Sequence, residues 1–219
     1  MCGRYTLFQK GLQVEYSTTN SLELDSRYNI APSTKIPVVI STFQGLKLVQ
    51  AHWGFRVKFG EQESLLINAR SETLEEKRTF KPHLKRRCLL PTTGFYEWQK
   101  NASTNTKIPY FIHLTGRSLF AFAGLYRETK EGEIETVICT INPNKVMKSI
   151  HTRMPVILSK KAEKTWLEGK TYTDACVVLQ PYPALEMEAY AISRAVNSPA
   201  NDTPELIRPL SKPNEVDRT

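Results

Sequence analysis

The strongest constraint on the fold is a succession of short apolar segments, rich in β-branched and aromatic residues, that turn residues separate along almost the whole chain. Segments of this length and composition favour β-strands over helices. Strands are predicted at residues 36–40, 46–53, 65–67, 87–90, 95–98, 110–114, 119–125, 134–141 and 156–158. The first two flank residues 43–45 and predict a hairpin, and the segments 65–67 and 87–90 are expected to be buried.

Helices are expected at three places only: residues 71–78, 144–149 and 159–167. Each segment begins at a Ser or Asn that can cap a helix, and Pro82 follows the first of them as a stop. The predicted fold class is therefore α+β, dominated by β-structure.

The domain organisation is expected to be simple, because the 219 residues contain no internal repeat and no low-complexity linker. We expect one domain over residues 1–219, with an irregular tail from about residue 198. No segment has the length and hydrophobicity of a transmembrane helix, and no signal peptide is recognisable at the start. These patterns predict a cytoplasmic protein with reduced thiols and no membrane contact.

The chain is basic: 30 Lys and Arg against 22 Asp and Glu give a formal net charge of +8 and an isoelectric point near 9.3. An excess of this size favours partners that carry phosphates over acidic proteins or neutral metabolites. A solvated positive face explains the same excess, so charge alone leaves both interpretations open.

The four cysteines are scattered, with no closely spaced pair of the kind that binds zinc. Neither a metal nor a cofactor is predicted. Cys88, Cys139 and Cys176 lie in or beside apolar runs and are expected to be small buried hydrophobic residues.

Cys2 is the exception, because it follows Met1 directly. Removal of Met1 leaves Cys2 with a free α-amine beside its thiol. Such a 1,2-aminothiol attacks an aldehyde through nitrogen to give an imine, and then through sulfur to close a five-membered thiazolidine. The neighbouring Arg4 is a cation that can hold the amine neutral. The alternative is that Cys2 is an ordinary residue at a frayed terminus.

Two polar clusters interrupt or end predicted strands, where burial of polar groups is costly unless they are paired or functional. Asn68 and Arg70 follow the strand at 65–67 and can bind a ligand's oxygens and a phosphate, or they form a helix cap and a surface ion pair. Glu97 lies between aromatic residues and is suited to proton transfer, or it is a structural ion-pair partner.

Three further candidates lie later in the chain, and a fourth lies at the end of the strand predicted at residues 46–53. His151 can move protons near neutral pH, and Arg153 can bind phosphate through paired donors. Arg194 belongs to another compact basic group, and Trp53 can stack on an unpaired base. Each also has an ordinary explanation: a structural histidine, surface arginines or a core tryptophan.

Together these clusters resemble the SOS-response-associated peptidase (SRAP) family in order and spacing. The matching segments are 1–4 (MCGR), 28–32 (YNIAP), 53–54 (WG), 67–72 (INARSE), 80–82 (FKP), 94–98 (GFYEW), 151–155 (HTRMP) and 193–196 (SRAV). They span nearly the whole chain, and their joint occurrence by chance is negligible.

The resemblance implies a β-rich single domain with a mixed or antiparallel barrel-like sheet core, flanking helices and a basic cleft for single-stranded DNA, including strands that end at a duplex junction. It also implies covalent capture of abasic sites through a thiazolidine, in a bacterial or phage-type protein that associates with the nucleoid when bound to DNA. Cys2 is then the nucleophile and Asn68 positions the sugar or the amine. Glu97 transfers protons, and His151 assists ring opening and thiol addition.

The DNA contacts implied by the resemblance form a larger set. Phosphates flanking the lesion are assigned to Arg4, Arg70, Thr140 and Arg153, neighbouring bases to Pro32 and Trp53, close backbone approach to Gly3, and a further DNA contact to Arg194. The family is often richer in Pro and Trp after the Trp-Gly pair, whereas residues 55–59 here read FRVKF, so the base-contacting wedge is expected to differ.

Three functions remain open on the sequence. The first is covalent capture by a monomer that also removes its own Met1 and has possible lyase activity. The second is a cysteine peptidase that acts in trans through Cys2, His151 and Asn68 or Glu97. The third is a basic module that binds single-stranded DNA without a covalent step.

Overall fold

β-Strands make up most of the regular structure in the computed structural model, which describes residues 2–8, 11–101 and 104–210. The strands are β1 (Arg4–Leu7), β2 (Arg27–Ile30), β3 (Lys35–Thr42), β4 (Gly45–Trp53), β5 (Phe55–Phe59), β6 (Gln62–Leu66), β7 (Asn68–Arg70), β8 (Arg87–Thr92), β9 (Gly94–Lys100), β10 (Lys107–Leu114), β11 (Phe120–Glu128), β12 (Ile134–Ile141), β13 (Met154–Pro155), β14 (Ile157–Leu158) and β15 (Met187–Ala191). The α-helices are α1 (Leu12–Tyr16), α2 (Lys160–Glu168) and α3 (Tyr172–Cys176). The β-dominated α+β class is thus confirmed.

A closed ring of strands forms the centre of the fold. Strands β12, β4, β3, β8 and β11 pair in that order, and β11 pairs again with β12. The pairs are antiparallel except for β4 with β12, and β7 adds a second parallel partner to β12. The predicted mixed, barrel-like sheet core is therefore confirmed, as is the hairpin of β3 and β4.

Strand β8 is buried at every position, because one of its faces points to the inside of the ring and α2 packs against the other face. Trp166 of α2 donates from Nε1 to the carbonyl oxygen of Cys88 at 3.1 Å. Burial on both faces explains why this strand reads as an almost continuous apolar run. Cys88 and Cys139 are buried as predicted, whereas Cys176 is only half-buried.

A second, antiparallel sheet has the strand order β15-β10-β9-β1-β2. Thr93 alone connects β8 of the ring to β9 of this sheet, and its hydroxyl lies 2.8 Å from that of Thr6 in β1. A Cβ at Gly94 would lie 2.3 Å from Cζ of Phe111, so a glycine is required where β9 begins so close to β10.

Tyr5 of β1 packs this second sheet against the ring. Its side chain forms edge contacts with Trp53 of β4, at a centroid distance of 5.3 Å, and with Phe122 of β11, at 6.0 Å. All three rings are fully buried. The N-terminal strand therefore lies between the two sheets and within the main core.

Two predicted helices are wrong. Residues 71–78 form a 3₁₀ turn at Ser71–Thr73 followed by turns, because Leu74 is the only apolar residue there and no apolar face exists to hold a helix. Residues 144–149 form a 3₁₀ turn at Met147–Ser149, although Asn144 does cap it by accepting from Met147 N at 3.0 Å.

The third predicted helix is confirmed as α2, where Ser159 Oγ accepts from Ala162 N at 3.3 Å. The segment 65–67, expected to be buried, is only half-buried at the end of β6. The expected tail includes a 3₁₀ turn at Pro204–Ile207 and a bridge between Ile192 and Pro209, and its last residues, 211–219, lie outside the described residues.

In the described ranges, no helix is long and apolar enough to cross a membrane. The same residues contain no group of three or more His, Cys, Asp or Glu side chains placed to bind a metal ion.

Candidate active site

Cys2 lies two residues before the start of β1, with Gly3 between them, and is fully buried. Asn68, the first residue of β7, donates from Nδ2 to the carbonyl oxygen of Cys2 at 2.9 Å. The thiol sulfur of Cys2 lies 3.8 Å from the carbonyl oxygen of Arg4. The structure thus brings together Cys2 and Asn68, two predicted catalytic residues that are 66 positions apart.

Glu97 is the third predicted catalytic residue to reach this site. It follows Tyr96, the partner of Arg4 in the pairing of β9 with β1, and its side chain is buried. Burial raises the pKa of the Cys2 thiol far above its usual range, and the nearby Glu97 carboxylate raises it further. The thiol is therefore protonated at neutral pH and needs a proton acceptor before its sulfur can react.

His151 lies in the turn that leads into β13. Its Nδ1 lies 3.0 Å from the backbone N of Arg153, which donates to it, and 3.3 Å from the carbonyl oxygen of the same residue. Both β7 and β13 pair with β12, and Thr140 is the partner of Arg70 on one side and of Pro155 on the other. This topology brings the His151 turn to the same strand that positions Asn68.

Tyr5 is a member of the site that the sequence did not reveal. Its hydroxyl is buried and has no hydrogen-bond partner among the described residues. Burial raises the pKa of this phenol, and the nearby Cys2 thiol contributes to the shift. Nothing in the sequence distinguishes Tyr5 from an ordinary core aromatic.

Arg4 joins β1 to two other segments. Its Nη1 donates to Asn29 Oδ1 at 2.7 Å and to the carbonyl oxygen of Val196 at 2.8 Å. Its Nη2 donates to the carbonyl oxygen of Asn197 at 3.1 Å. A phosphate at Arg4 would therefore share a guanidinium that already binds protein acceptors.

Asn29 is the centre of this connection and is buried. Its Nδ2 lies within hydrogen-bonding distance of three carbonyl oxygens, those of Val196 (3.2 Å), Ser198 (3.0 Å) and Asn201 (2.8 Å). Asp202 accepts from the backbone N of Asn29 at 2.9 Å. Sequence reasoning gave Asn29 no role, although it lies in segment 28–32, one of those that carry the family resemblance.

Arg153 is held by a carboxylate. Its Nη1 and Nη2 donate to the two carboxylate oxygens of Glu72 at 2.6 and 2.8 Å. Nη1 also donates to Asn142 Oδ1 at 3.1 Å, and Nη2 to the carbonyl oxygen of Thr140 at 2.6 Å. Glu72 was not among the predicted site residues, because the sequence shows no link between positions 81 apart.

Two of the expected DNA contacts are core residues in the structure. Trp53 is fully buried and donates from Nε1 to the carbonyl oxygen of Ile67 at 3.0 Å, so no ring face is exposed to a base. Thr140 is also fully buried, and its hydroxyl accepts from Arg153 Nη2 at 3.3 Å. In this structure both side chains are packed in the core and hydrogen-bond to neighbouring segments, and their contacts with DNA stay predictions.

The remaining expected contacts are more accessible. Arg70 is exposed, and within the described part of the chain it forms no ion pair. Gly3, Pro32 and Arg194 are half-buried.

The segment after Gly54, expected to differ from the family, forms a separate hairpin of β5 and β6. Its base is fixed by the fully buried Phe55, over which the Arg127 guanidinium lies 4.6 Å from the ring centroid. A cavity of about 380 Å³ lies between this hairpin and Ser33, the neighbour of Pro32.

Comparisons with known proteins agree with these features. The family model described as SOS response associated peptidase (SRAP) matches residues 1–199. The chain is 43% identical over 223 residues to the Bacillus subtilis "Abasic site processing protein YoqW", covering 94% of this chain and 99% of that protein. It is 30% identical over 230 residues to the Escherichia coli "Abasic site processing protein YedK", covering 96% and 100%. A solved structure from Bacteroides thetaiotaomicron matches with a TM-score of 0.81 at 25% identity, covering 95% of this chain and 100% of that one.

Asn29→Ala is expected to lower the free energy of unfolding by about 2–3 kcal/mol, because it removes an acceptor from Arg4 and a buried amide group that donates among the carbonyl oxygens of Val196, Ser198 and Asn201. Urea unfolding followed by tryptophan fluorescence measures this change. Asn201→Ala is the matched control, since that side chain makes one exposed hydrogen bond in the same segment, and it should cost less than about 1 kcal/mol. Equal effects of the two substitutions would contradict the role assigned to Asn29.

Proposed function

Because the chain belongs to the SOS response associated peptidase (SRAP) family, we propose that Cys2 captures abasic sites in single-stranded DNA as a stable covalent adduct. The observation that carries the proposal is the grouping of Cys2, Asn68 and Glu97: Asn68 holds the backbone of the buried Cys2, and the buried Glu97 carboxylate lies near enough to raise the pKa of the Cys2 thiol. The names of the relatives, which are abasic site processing proteins, support the choice of substrate.

The proposed reaction begins at the amine. Once Met1 has been removed, the α-nitrogen of Cys2 attacks the aldehyde carbon of the ring-opened sugar, and the carbonyl oxygen leaves as water to give an imine. The Cys2 sulfur then adds to the imine carbon, and the thiol proton is transferred to nitrogen. The product is a thiazolidine, formed with net loss of one water. Met1 itself lies outside the described residues, so its self-removal is part of the proposal.

The surrounding groups suit these steps. Asn68 fixes the backbone of Cys2 and so limits the directions from which the nucleophile can approach. Glu97 is the carboxylate close enough to influence the thiol pKa, and it is therefore the proposed carrier of the proton that sulfur must lose. His151, held at the start of the turn into β13 by its contacts with Arg153, is the proposed proton donor to the ring oxygen when the sugar opens.

The DNA strand is proposed to lie along the edge where β7 and β13 meet β12. The exposed Arg70 is the first candidate for a phosphate contact, with Gly3, Arg4, Pro32, Arg153 and Arg194 as further contacts. One copy of the chain supplies every group in the mechanism, so the proposed active unit is a monomer. Strands that end at a duplex junction are included among the proposed substrates.

The first test is a denaturing gel of the mature protein incubated with abasic single-stranded DNA. Wild-type protein should give an adduct that resists denaturation, and Cys2→Ala should give none that is equally stable, because the alanine retains the amine but cannot close the ring. Cys176→Ala removes a half-buried thiol elsewhere and should leave the yield unchanged. An equally stable adduct with Cys2→Ala, or with Met1 retained, would contradict the proposal.

The second test uses the imine that Cys2→Ala can still form. An imine acidifies the neighbouring carbon–hydrogen bond, so this variant should nick the abasic strand by β-elimination. Adding Glu97→Gln should lower the nicking rate roughly 100-fold if Glu97 is the base. Sequencing gels give the rate, and the affinity for intact DNA is the control. Normal DNA binding without nicking by Cys2→Ala would show that the amine does not reach the aldehyde.

The two rival functions make different predictions. A thiol peptidase that acts in trans would cleave peptide substrates in the absence of DNA, and Cys2→Ala would abolish that cleavage. A non-covalent DNA-binding module would bind abasic and intact strands equally and give no adduct.

A further inference from the structure

The ion pair between Glu72 and Arg153 lies at the edge where we place the DNA. We propose that Glu72 weakens DNA binding at this edge: it occupies the phosphate-binding face of Arg153, and a DNA phosphate must displace it. This inference rests on the proposed DNA-binding function. It adds a residue that weakens DNA binding, whereas the arginines strengthen it.

The geometry is that of an occupied anion site. Two terminal nitrogens of Arg153 bind two oxygens of Glu72 at 2.6 and 2.8 Å, which is the paired arrangement that guanidinium groups also form with phosphates. The remaining contacts of these nitrogens go to Thr140 and Asn142. No terminal nitrogen of Arg153 is therefore available to a phosphate unless a protein acceptor leaves.

Glu72 is the acceptor placed to leave. Its side chain is 40% exposed, compared with 12% for Arg153, so an anion that approaches from solvent meets the carboxylate first. Thr140 is fully buried and part of β12, so its backbone oxygen cannot move away. The carboxylate repels a phosphate electrostatically as long as it stays in place.

Glu72 borders a cavity that is large enough to take its side chain in another rotamer. It lies in the short 3₁₀ turn at Ser71–Thr73, and a cavity of about 450 Å³, lined by Glu72, Glu75, Asn142 and Tyr172 among others, opens beside it. Rotation into this space would expose Arg153 without a change in β7 or β12. Arg70, two residues earlier and exposed, can anchor one phosphate while the next replaces the carboxylate.

The consequence is a lower affinity for DNA that the protein binds without forming a covalent adduct. Every strand that uses Arg153 must first break a charge-assisted pair, so intact single-stranded DNA binds more weakly than the number of arginines implies. Tight retention is then left to the covalent step at Cys2.

The test is the affinity of the full-length protein for a fluorescently labelled, intact single-stranded oligonucleotide, measured by anisotropy at fixed salt. Glu72→Gln should bind roughly three- to ten-fold more tightly than wild type, because it removes a competing, partly exposed ion pair. Glu75→Gln is the matched control: it removes the same charge from the same cavity without a contact to Arg153, and it should change affinity less than about two-fold.

A second pair of variants tests whether Glu72 acts on DNA binding through Arg153. In an Arg153→Gln background, Glu72→Gln should bring no gain, since the site it blocks no longer exists. Unchanged or weaker binding by Glu72→Gln, an equal gain with Glu75→Gln, or a gain that persists without Arg153 would each overturn the inference, as would the absence of binding by all variants. Thermal unfolding of each variant shows that it is folded. Because intact DNA forms no adduct, failure here is distinct from failure of covalent capture, which the abasic-strand gel reports.

Discussion

The pairing of β1 with both β2 and β9 is the constraint on which the site depends. Chain ends are usually frayed, yet here the first strand lies inside a sheet and Tyr5 packs it into the core. Cys2, two residues before the start of β1, is consequently buried and held by Asn68. In the proposed reaction, much of the entropy cost of orienting the amine and the thiol of Cys2 for two successive attacks on one carbon is thus met during folding.

Burial also determines the chemical state of the nucleophile. A thiol of raised pKa is unreactive toward most electrophiles at neutral pH, because the thiolate is the reactive form. In the proposed reaction the imine carbon is bonded to the Cys2 nitrogen, so the sulfur attacks within its own residue. Glu97 is the proposed acceptor of the thiol proton. The arrangement suits one intramolecular ring closure better than repeated attack on substrates from solution.

Much of the fold could be predicted from the sequence, because alternating and apolar runs identify strands such as β8 and β11 directly. The helix predicted at 71–78 was wrong because composition suggested it while a single buried residue, Leu74, gave it nothing to pack against. Motif residues predicted that Cys2 and Asn68 belong to one site, and the structure brings them together. The sequence could not show that Trp53 is buried, or that Glu72 holds Arg153, because both depend on contacts between distant segments.

The central claim is that both heteroatoms of a processed Cys2 join the same sugar carbon. The most direct measurement is the mass of the N-terminal peptide after nuclease and protease digestion of the adduct, followed by thiol alkylation. Thiazolidine formation at the processed terminus predicts a peptide that begins at Cys2, carries the sugar with net loss of one water, and has no thiol left to alkylate. A modified peptide that retains Met1, an alkylatable Cys2 thiol, or attachment at any other residue would contradict it.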